Sequence, residues 1–468
     1  MTTAAVVLAA GQGTRFKSDR AKVLHAAAGR SMLRWVLEAL RPLALERIVV
    51  VIGHQGEDVA AEAESAGIPA LVTVRQEHQN GTGHAVRMVS EAGVLDGIDD
   101  VLVVPGDAPL LTTDVLAALL DGHRDRAASV TLLTTQLADP TGYGRVLRNG
   151  DAIAGVVEER DATDAERAIT EVNTSMYVFD VEALRPALQA LTTDNAQGEE
   201  YLTDVVGPLA SAGATTVSAP AEVVAGVNDR SQLAAAASEL RRRILNDHMV
   251  AGVTIVDPSS TYVGAEVRIE PDATLLPGTH LEGATAIGAG AAIGPDSRLV
   301  DATVEAGATV TYSVVLEASV GPRASVGPFA YLRPRARLEQ RAKVGAFVEM
   351  KNSTVGEGSK VPHLSYVGDT TIGRDANIGA ATVTVNYDGF NKHRTVIGDG
   401  ARVGSDTMLV APVTVGDHAY TGAGSVITKD VPPGALAVER TEQRIIEGYA
   451  ERHRARSTRD SADGQGKA

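Results

Sequence analysis

The chain has 468 residues, a formal net charge of -16 at pH 7, 47 glycines and no cysteine. This length exceeds what one hydrophobic core usually supports, so we expect two or three globular domains. The acidic charge argues against broad binding to nucleic acids or anionic membranes. The lack of cysteine excludes disulfides, thiolate metal sites and a cysteine nucleophile. Any anion must therefore be bound by local Lys, Arg and backbone amides.

The N-terminal segment predicts a strand rather than a targeting signal. Its short apolar run has no basic leader and continues directly into a glycine-rich loop at Gly11. No apolar run reaches membrane-spanning length. We therefore expect a cytoplasmic protein without stable membrane insertion.

The first half of the chain alternates short aliphatic runs with helical stretches. The aliphatic runs are 5–10, 48–52, 71–74 and 101–104. Continuous apolar strands between helices predict a parallel sheet covered on both faces, in a Rossmann-like α/β domain. Such sheets bind ligands at the carboxyl ends of their strands, so the residues that follow each strand are candidate site residues.

Residues 229–250 carry apolar side chains at helical spacing and predict a connecting helix. This helix separates an N-terminal domain (1–228) from a C-terminal domain (251–437). The remaining tail, 438–468, is polar and lacks apolar periodicity at its end, from Glu451 onward, which predicts disorder there.

The C-terminal domain repeats an aliphatic residue every six positions. Examples are Val263, Ile269, Leu275, Leu281, Ile287, Ile293 and Leu299, and again Val320, Val326, Leu332, Leu338 and Val344. This period is typical of a left-handed parallel β-helix with three hexapeptides per coil. The period breaks near 304–315, 350–361 and 384–394, which we interpret as loops or insertions. The open ends and apolar face of such a helix also predict oligomerisation.

A glycine-rich loop follows the first predicted strand. Two glycines, Gly11 and Gly13, allow backbone amides to approach a phosphate, and Arg15 and Lys22 can add positive charge. Taken alone, the motif fits a tight strand–helix turn with solvated basic residues equally well. Asp107 directly follows another predicted strand, where it is either a ligand for a hard divalent cation or a turn residue.

The loop, Leu-Ala-Ala-Gly11-Gln-Gly-Thr-Arg15 followed by Lys22, resembles the sugar-phosphate nucleotidyltransferase signature, whose fold is GT-A-like. Ala21 stands where proline is usual in that signature, which predicts a less rigid loop. With the later Gly144, Asn173 and Asn228 segments, nearly the whole chain up to about Arg440 resembles the bacterial bifunctional N-acetylglucosamine-1-phosphate uridylyltransferase and glucosamine-1-phosphate N-acetyltransferase family.

The resemblance implies specific roles in the N-terminal domain. Uridine contacts would come from Leu8, Ala9, Ala10, Gly11, Gln76, Gly81 and Thr82, and Lys22 would also bind the nucleotide. N-acetylglucosamine contacts would come from Gly144, Glu158 and Asn173, and Mg²⁺ ligands from Asp107 and Asn228. Judged singly, each asparagine is as readily a turn residue. The reaction would be in-line attack of the sugar phosphate on the α-phosphorus of UTP, with Lys22 and Arg15 compensating charge and no protein nucleophile.

The C-terminal domain carries polar residues that a bare β-helix does not require. A lone His is more often a surface residue, but the segment His363-Leu-Ser-Tyr366-Val-Gly-Asp369 resembles the family's acetyltransferase stretch. The resemblance implies that His363 is the general base and that Glu349 orients its ring. It also implies that glucosamine-1-phosphate is bound by Arg333, Lys351, Tyr366 and Asn377, and acetyl-CoA by Ala380, Asn386, Tyr387, Ser405, Ala423 and Arg440.

The expected enzyme therefore acetylates glucosamine-1-phosphate and then uridylylates the product to UDP-N-acetylglucosamine, as a homotrimer with sites shared among subunits. One alternative is a nucleotidyltransferase whose β-helix is only structural or regulatory. A second alternative is a catalytically silent binding subunit, which would be expected to lack Arg15, Lys22 or Asp107, all of which are present.

Overall fold

The computed structural model describes residues 1–464, and side chains up to Ser457. The chain divides into two compact units. The first comprises Met1–Val267 with Leu281–Gly283, and the second comprises Arg268–His280 and the chain from Ala284 onward. No helix in the described part of the chain is both long enough and apolar enough to cross a membrane.

The first unit is built on a twisted sheet with helices on both faces. Its strands are β1 (Thr3–Leu8), β2 (Ala26–Ala27), β3 (Arg30–Ser31), β4 (Arg47–Ile52), β5 (Leu71–Arg75), β6 (Asp100–Pro105), β7 (Val130–Gln136), β8 (Gly144–Asn149), β9 (Ala152–Val157), β10 (Glu171–Asp180), β11 (Ala214–Ser218), β12 (Thr254–Ile255) and β13 (Tyr262–Val263). Its helices are α1 (Met32–Leu40), α2 (Gly56–Ser65), α3 (Thr82–Glu91), α4 (Thr113–Asp125), α5 (Asp164–Arg167), α6 (Val181–Gln189), α7 (Val206–Ala210), α8 (Ala221–Val224) and α9 (Arg230–Val250), with short 3-10 turns at Thr14–Phe16, Lys22–Leu24 and Leu202–Val205.

The main sheet has the strand order β11-β7-β10-β6-β1-β4-β5. Most neighbours are parallel, as predicted, but β10 runs antiparallel between β6 and β7. Alternate residues of β1 enter different cores, with Val7 on one face and Val6 on the other. Both are fully buried, which explains why the strands are continuously apolar.

The connecting helix α9 begins where the sequence predicts it. Asp229 caps its first turn by accepting a hydrogen bond from the backbone N–H of Gln232 at 2.8 Å. The Gln232 side chain in turn accepts from the N–H of Asn228 at 2.7 Å. This reciprocal capping fixes Asn228 at the point where the helix starts.

The second unit is a parallel β-helix with three faces. Face A contains β14 (Arg268–Ile269), β17 (Ala286–Ile287), β20 (Thr303–Val304), β23 (Ser319–Val320), β26 (Arg337–Leu338), β29 (Thr354–Val355), β32 (Thr370–Ile372), β35 (Thr395–Ile397) and β38 (Val413–Val415). Face B contains β15 (Thr274–Leu275), β18 (Ala292–Ile293), β21 (Thr309–Val310), β24 (Ser325–Val326), β27 (Lys343–Ala346), β30 (Lys360–His363), β33 (Asn377–Ile378), β36 (Arg402–Val403), β39 (Tyr420–Thr421) and β41 (Leu436–Ala437). Face C contains β16 (His280–Glu282), β19 (Arg298–Val300), β22 (Val314–Leu316), β25 (Tyr331–Leu332), β28 (Glu349–Lys351), β31 (Tyr366–Gly368), β34 (Val383–Val385), β37 (Met408–Val410) and β40 (Val426–Ile427).

The three predicted breaks in the repeat have different structural causes. Strands continue through 304–315 and 350–361, so the prediction of loops there is wrong: the turns of these coils are only one residue shorter. The third break is a true insertion. Thr370 pairs with Thr395, which leaves an insertion loop, residues 386–394, between β34 and β35.

The C-terminal tail differs from the expectation of disorder. Residues 438–448 contain no helix or strand, and α10 (Tyr449–Gly464) follows. The start of this helix is rich in Ala, Glu and Arg, which are good helix formers. Residues 465–468 of the predicted disordered end lie outside the described part.

Candidate active sites

A cleft of about 740 Å³ opens at the carboxyl ends of the parallel strands of the first unit. It is lined by every site residue predicted in the N-terminal domain, namely Leu8, Ala9, Ala10, Gly11, Arg15, Lys22, Gln76, Gly81, Thr82, Asp107, Gly144, Glu158, Asn173 and Asn228. The register explains the meeting of distant segments, because Leu8 is paired with both Val51 and Pro105. The chain therefore leaves adjacent strands at one edge of the sheet.

The glycine-rich loop crosses this edge in a conformation that requires glycine. Gly13 has φ +63°, and a β-carbon there would lie 2.5 Å from the β-carbon of Lys22. The close approach places the Lys22 ammonium in an ion pair with the Asp107 carboxylate. Both side chains are more than four-fifths buried, so the cation and the carboxylate face each other inside the cleft.

Ala21, at the position where proline is usual, is held by another residue. Its φ is -53°, close to the value that proline enforces. Its N–H donates to Oε1 of Gln55 at 2.6 Å, a bond that proline could not make. The Gln55 amide also donates to the carbonyl of Asp19. Gln55 therefore braces the loop from α2.

The two predicted metal ligands are neighbours. The N–H of Val227 donates to the carbonyl of Asp107 at 2.9 Å, and Asn228 Oδ1 accepts from Arg15 at 2.8 Å. Among the described side chains, which end at Ser457, no group of three or more His, Cys, Asp or Glu could hold a metal ion. One carboxylate plus an amide oxygen nevertheless fits Mg²⁺, which usually keeps waters and takes further ligands from substrate phosphates.

The predicted uridine side of the cleft is anchored around α3. Gln76 is 3% exposed and donates to the carbonyl of Gly81 at 3.1 Å. Gly81 has φ +108°, and a β-carbon there would lie 2.4 Å from the carbonyl oxygen of Glu200. Thr82 accepts a hydrogen bond from the N–H of Leu202 at 3.1 Å. These bonds fix the start of α3 in the wall of the cleft.

The predicted sugar side contains two polar groups supported by buried hydroxyls. Thr203 donates to Oε1 of Glu158 at 2.9 Å, and Asn173 donates to the hydroxyl of Tyr177 at 2.6 Å. Burial raises the pKa of Glu158. The hydrogen bond from Thr203 lowers this pKa, and the negative charges of Asp204 and Asp161 raise it further. Neither hydroxyl was predicted from the sequence, because nothing local marks Thr203 or Tyr177 as neighbours of the cleft.

On the β-helix, Glu349 does not orient His363 within one chain. Its carboxylate accepts a hydrogen bond from Arg333 at 2.7 Å. In the strand register Glu349 is paired with Tyr366, whereas His363 is paired with Ala346. The ring of His363 makes no hydrogen bond to another described residue. The predicted pairing is therefore wrong within the chain, since the two residues lie at different positions around the coil.

The cations of face C continue onto the insertion loop. Arg333 and Lys351 occupy the same position on successive coils, and the ammonium of Lys392 contacts that of Lys351, which is the main reason why the pKa of Lys351 is lowered. Lys392 was not predicted as a site residue, because it lies where the repeat is interrupted. The charges of both lysines act on the carboxylate of Asp369. These groups form a polar cluster with Asn386, whose amide donates to Asp369 at 2.5 Å.

The corner that carries His363 continues as a column of small residues. Register places Ala380, Ser405 and Ala423 below His363 on the following coils, and Arg440 donates to the carbonyl of Ala423 at 3.1 Å. Asn377 lies on face B and is paired with Lys360 and Arg402. The structure thus does not bring Asn377 to the cations of face C within one chain. Tyr387, on the insertion loop, is 57% exposed.

Known proteins resemble both domains of this chain. A model of the MobA-like NTP transferase domain matches residues 5–205, and one of the bacterial transferase hexapeptide (six repeats) matches residues 394–429. The bifunctional protein GlmU of Streptomyces coelicolor is 53% identical, covering 96% of this chain and 94% of that protein. Those of Mycolicibacterium gilvum (54%; 96% and 92%) and Mycobacterium tuberculosis (51%; 97% and 93%) are similarly related.

These matches confirm the predicted pairing of a nucleotidyltransferase domain with a hexapeptide-repeat acetyltransferase domain, and they imply sugar-phosphate and nucleotide substrates and a metal-dependent nucleotidyl transfer. With over half of the residues identical along nearly the full length of both chains, this chain belongs to the GlmU family of bifunctional enzymes.

Proposed function

We propose that the chain acetylates glucosamine-1-phosphate with acetyl-CoA on its β-helix and then transfers UMP from UTP to N-acetylglucosamine-1-phosphate in its N-terminal cleft. The observation that carries the proposal is the convergence of Lys22, Asp107 and Asn228, which come from three separate segments, in one cleft. Released pyrophosphate and UDP-N-acetylglucosamine are the products of the second step.

In the uridylyl transfer, the sugar phosphate oxygen attacks the α-phosphorus of UTP while the bond to the leaving pyrophosphate breaks. Lys22 and Arg15 supply positive charge where charge develops on the phosphates. Glu158 and Asn173 bind the sugar, with Thr203 and Tyr177 restricting their rotation. Because these groups position the substrates and stabilise the developing charge, no covalent enzyme intermediate is needed.

The cleft residues would hold Mg²⁺ through Asp107 and Asn228. When bound, the ion would supply charge neutralisation at the phosphates. Lys22 forms an ion pair with Oδ2 of Asp107. The other oxygen, Oδ1, lies beside Gly226, and a β-carbon on that glycine would be 3.7 Å from it. The bare glycine leaves this carboxylate oxygen accessible.

In the acetyl transfer, His363 takes a proton from the sugar amine, whose nitrogen attacks the thioester carbon and expels the CoA thiolate. Arg333, Lys351 and Tyr366 bind glucosamine-1-phosphate. The column Ala380, Ser405 and Ala423 gives the acetyl-CoA arm a smooth path, with Asn386, Tyr387 and Arg440 as polar contacts. Lys392 adds to the positive charge that receives the sugar phosphate.

We also propose a homotrimer in the cytoplasm. Asn377 and the cations of face C lie on different faces of one chain, and His363 lacks an orienting partner within the chain. A site shared between copies would bring these groups together, and symmetric closure would cover exposed apolar side chains such as Phe329 and Phe347.

The test is a product assay with purified protein, glucosamine-1-phosphate, acetyl-CoA, UTP and Mg²⁺, with acetyl-CoA or UTP omitted in parallel reactions. We expect free CoA and pyrophosphate in the full mixture, and N-acetylglucosamine-1-phosphate to accumulate without UTP. Pyrophosphate from N-acetylglucosamine-1-phosphate without any CoA release from glucosamine-1-phosphate would instead support the nucleotidyltransferase with a structural β-helix.

A further inference from the structure

One buried carboxylate lies at the corner where face C ends. Asp369 is 8% exposed and has φ +49°, an unfavourable conformation for a residue other than glycine. Its Oδ1 accepts from Nδ2 of Asn352 and its Oδ2 from Nδ2 of Asn386, each at 2.5 Å. The three residues occupy the same corner of successive coils, because Lys351 is paired with Gly368. Asp369 thus links the coil before it to the coil after it.

Asn386 is the first residue of the insertion loop, so its position sets that of the loop. Its carbonyl accepts from the N–H of His393 at 2.8 Å, near the loop's other end. Between them, Tyr387 is bridged to Lys392. The bond from Asn386 to Asp369 therefore anchors the base of a segment that carries contacts for two different substrates.

The same carboxylate balances charge. Arg333, Lys351 and Lys392 concentrate positive charge on this part of the surface, and Glu349 is already paired with Arg333. Burial raises the pKa of Asp369, but the hydrogen bonds from Asn352 and Asn386 and the charges of Lys392 and Lys351 lower it overall. The backbone N–H of Asp369 also donates to the carbonyl of Lys351 at 3.1 Å. Without its charge, the two contacting ammonium groups would repel each other with less compensation, and Lys392 would move away with the loop that carries it.

We propose that Asp369 is a positioning residue for acetyl transfer, which anchors the insertion loop through Asn386 and keeps Lys392 beside Lys351. It touches neither substrate. It holds in place both Asn386, which contacts the acetyl donor, and Lys392, which contacts the sugar phosphate. Binding of the two substrates therefore depends on the carboxylate of Asp369. This inference rests on the proposed placement of glucosamine-1-phosphate and acetyl-CoA.

The direct test is Asp369→Asn in the full chain. The amide that replaces the carboxylate is uncharged and has only one oxygen to accept a hydrogen bond. It can therefore keep the bond from Asn352 or the bond from Asn386, but it keeps both only if one of these side chains rotates. We expect KM for both glucosamine-1-phosphate and acetyl-CoA to rise about tenfold or more, as for loss of a charge-assisted hydrogen bond, with a smaller fall in kcat and unchanged uridylyl transfer.

Asp301→Asn is the matched control. Asp301 follows β19 on the same face, has the same φ of +49°, and accepts only from the N–H of Ala284 at 2.8 Å. Neither KM should change in this variant. An active wild type with Asp369→Asn indistinguishable from Asp301→Asn would overturn the inference. Absence of CoA release from the wild type would instead remove the proposed function itself.

Two further variants separate positioning from a general loss of structure. In a Lys392→Met background, Asp369→Asn should raise KM for glucosamine-1-phosphate by a smaller factor than in the wild type, and equal factors would disprove the charge-balancing role. Asn386→Leu removes the same hydrogen bond by changing its donor on the loop. This variant tests the anchor even if Asp369→Asn does not fold. It must raise KM for glucosamine-1-phosphate as well as for acetyl-CoA; an unchanged value for the sugar phosphate would contradict the anchor.

Discussion

Gly13 tests how far one β-carbon can disturb the uridylyl site. In Gly13→Ala the added carbon would lie 2.5 Å from the Lys22 β-carbon, so Lys22 must leave its place beside Asp107. We expect kcat/KM for uridylyl transfer to fall about 100-fold, the usual effect of losing one group that stabilises developing charge. Acetyl transfer by the same protein should not change, and both are measured by product release.

Gly150→Ala controls for backbone strain. Gly150 also has φ +63°, but no atom lies within 4 Å of its added β-carbon. Both variants therefore lose about 1–2 kcal/mol of folding free energy through the left-handed conformation, and both should melt at a lower temperature. If Gly150→Ala lost uridylyl transfer to the same extent, displacement of Lys22 would not be the cause.

Glu158 gives a pH dependence with a defined direction. Its ionised carboxylate can accept hydrogen bonds from a sugar, and burial first, then neighbouring acidic charge, raises its pKa. Acidification therefore protonates it at a higher pH than an ordinary glutamate. We expect KM for N-acetylglucosamine-1-phosphate to rise as pH falls, starting above the range in which an exposed glutamate titrates. The Glu158→Gln variant should lack this rise.

Stability distinguishes this effect from partial unfolding. Because the folded-state pKa is raised, folding disfavours the ionised form, so the destabilisation is present at neutral pH and disappears as pH falls through the folded pKa. Glu158→Gln should then melt no lower than the wild type at pH 7. A lower melting temperature would show that the charge stabilises the fold and that the assigned direction is wrong.

At the scale of elements, Gln55 at the start of α2 compensates for the alanine in the glycine-rich loop. Gln55→Ala removes the acceptor for the Ala21 N–H and should lower kcat/KM for uridylyl transfer several-fold, because the loop that positions Lys22 becomes freer. Adding Ala21→Pro should restore much of the loss, since the local φ of -53° suits proline. Steady-state kinetics of both variants test this, with acetyl transfer as internal control. A double variant no better than Gln55→Ala would show that rigidity of the loop is not limiting.

The elements that the sequence predicted are those whose signal is local or strictly periodic. The strand ends at the glycine-rich loop and at Asp107 were visible in their own segments, although the roles assigned to Lys22 and Asp107 depended on the resemblance to a family. The six-residue period predicted the coils. The period could not predict turns that are one residue shorter. In the sequence such a turn interrupts the six-residue spacing in the same way as a loop does.

The rest depended on which residues become neighbours across coils. Lys392 lies in an insertion that no period marks, and Thr203 approaches Glu158 from a distant segment. Within one chain the pairing of Glu349 with His363 was wrong. The register of face C places Glu349 beside Tyr366, and its carboxylate accepts a hydrogen bond from Arg333. For α10, low hydrophobicity predicted disorder although Ala, Glu and Arg favour a helix.

At the scale of the whole molecule, the proposed sites use separate residues in separate compact units, so each activity should be removable alone. Asp107→Asn should make N-acetylglucosamine-1-phosphate without releasing pyrophosphate. His363→Ala should uridylylate supplied N-acetylglucosamine-1-phosphate but release no CoA from glucosamine-1-phosphate. His418→Ala, an exposed corner histidine on the same β-helix, is the control for His363 and should retain both activities.

The two inactive variants should complement each other when mixed. Acetylation consumes the amine on one unit and leaves a small phosphorylated sugar, which must reach the N-terminal cleft to react further. With Asp107→Asn and His363→Ala together, we expect glucosamine-1-phosphate to become UDP-N-acetylglucosamine after a lag in which the intermediate accumulates, as followed by chromatography of quenched samples. Free exchange through solution requires this lag, because the second step proceeds only as intermediate builds up. If Asp107→Asn released CoA but kept its acetylated product bound, so that the mixture formed no nucleotide sugar, the intermediate would have to pass between the sites without release, and the independence of the two units would be refuted.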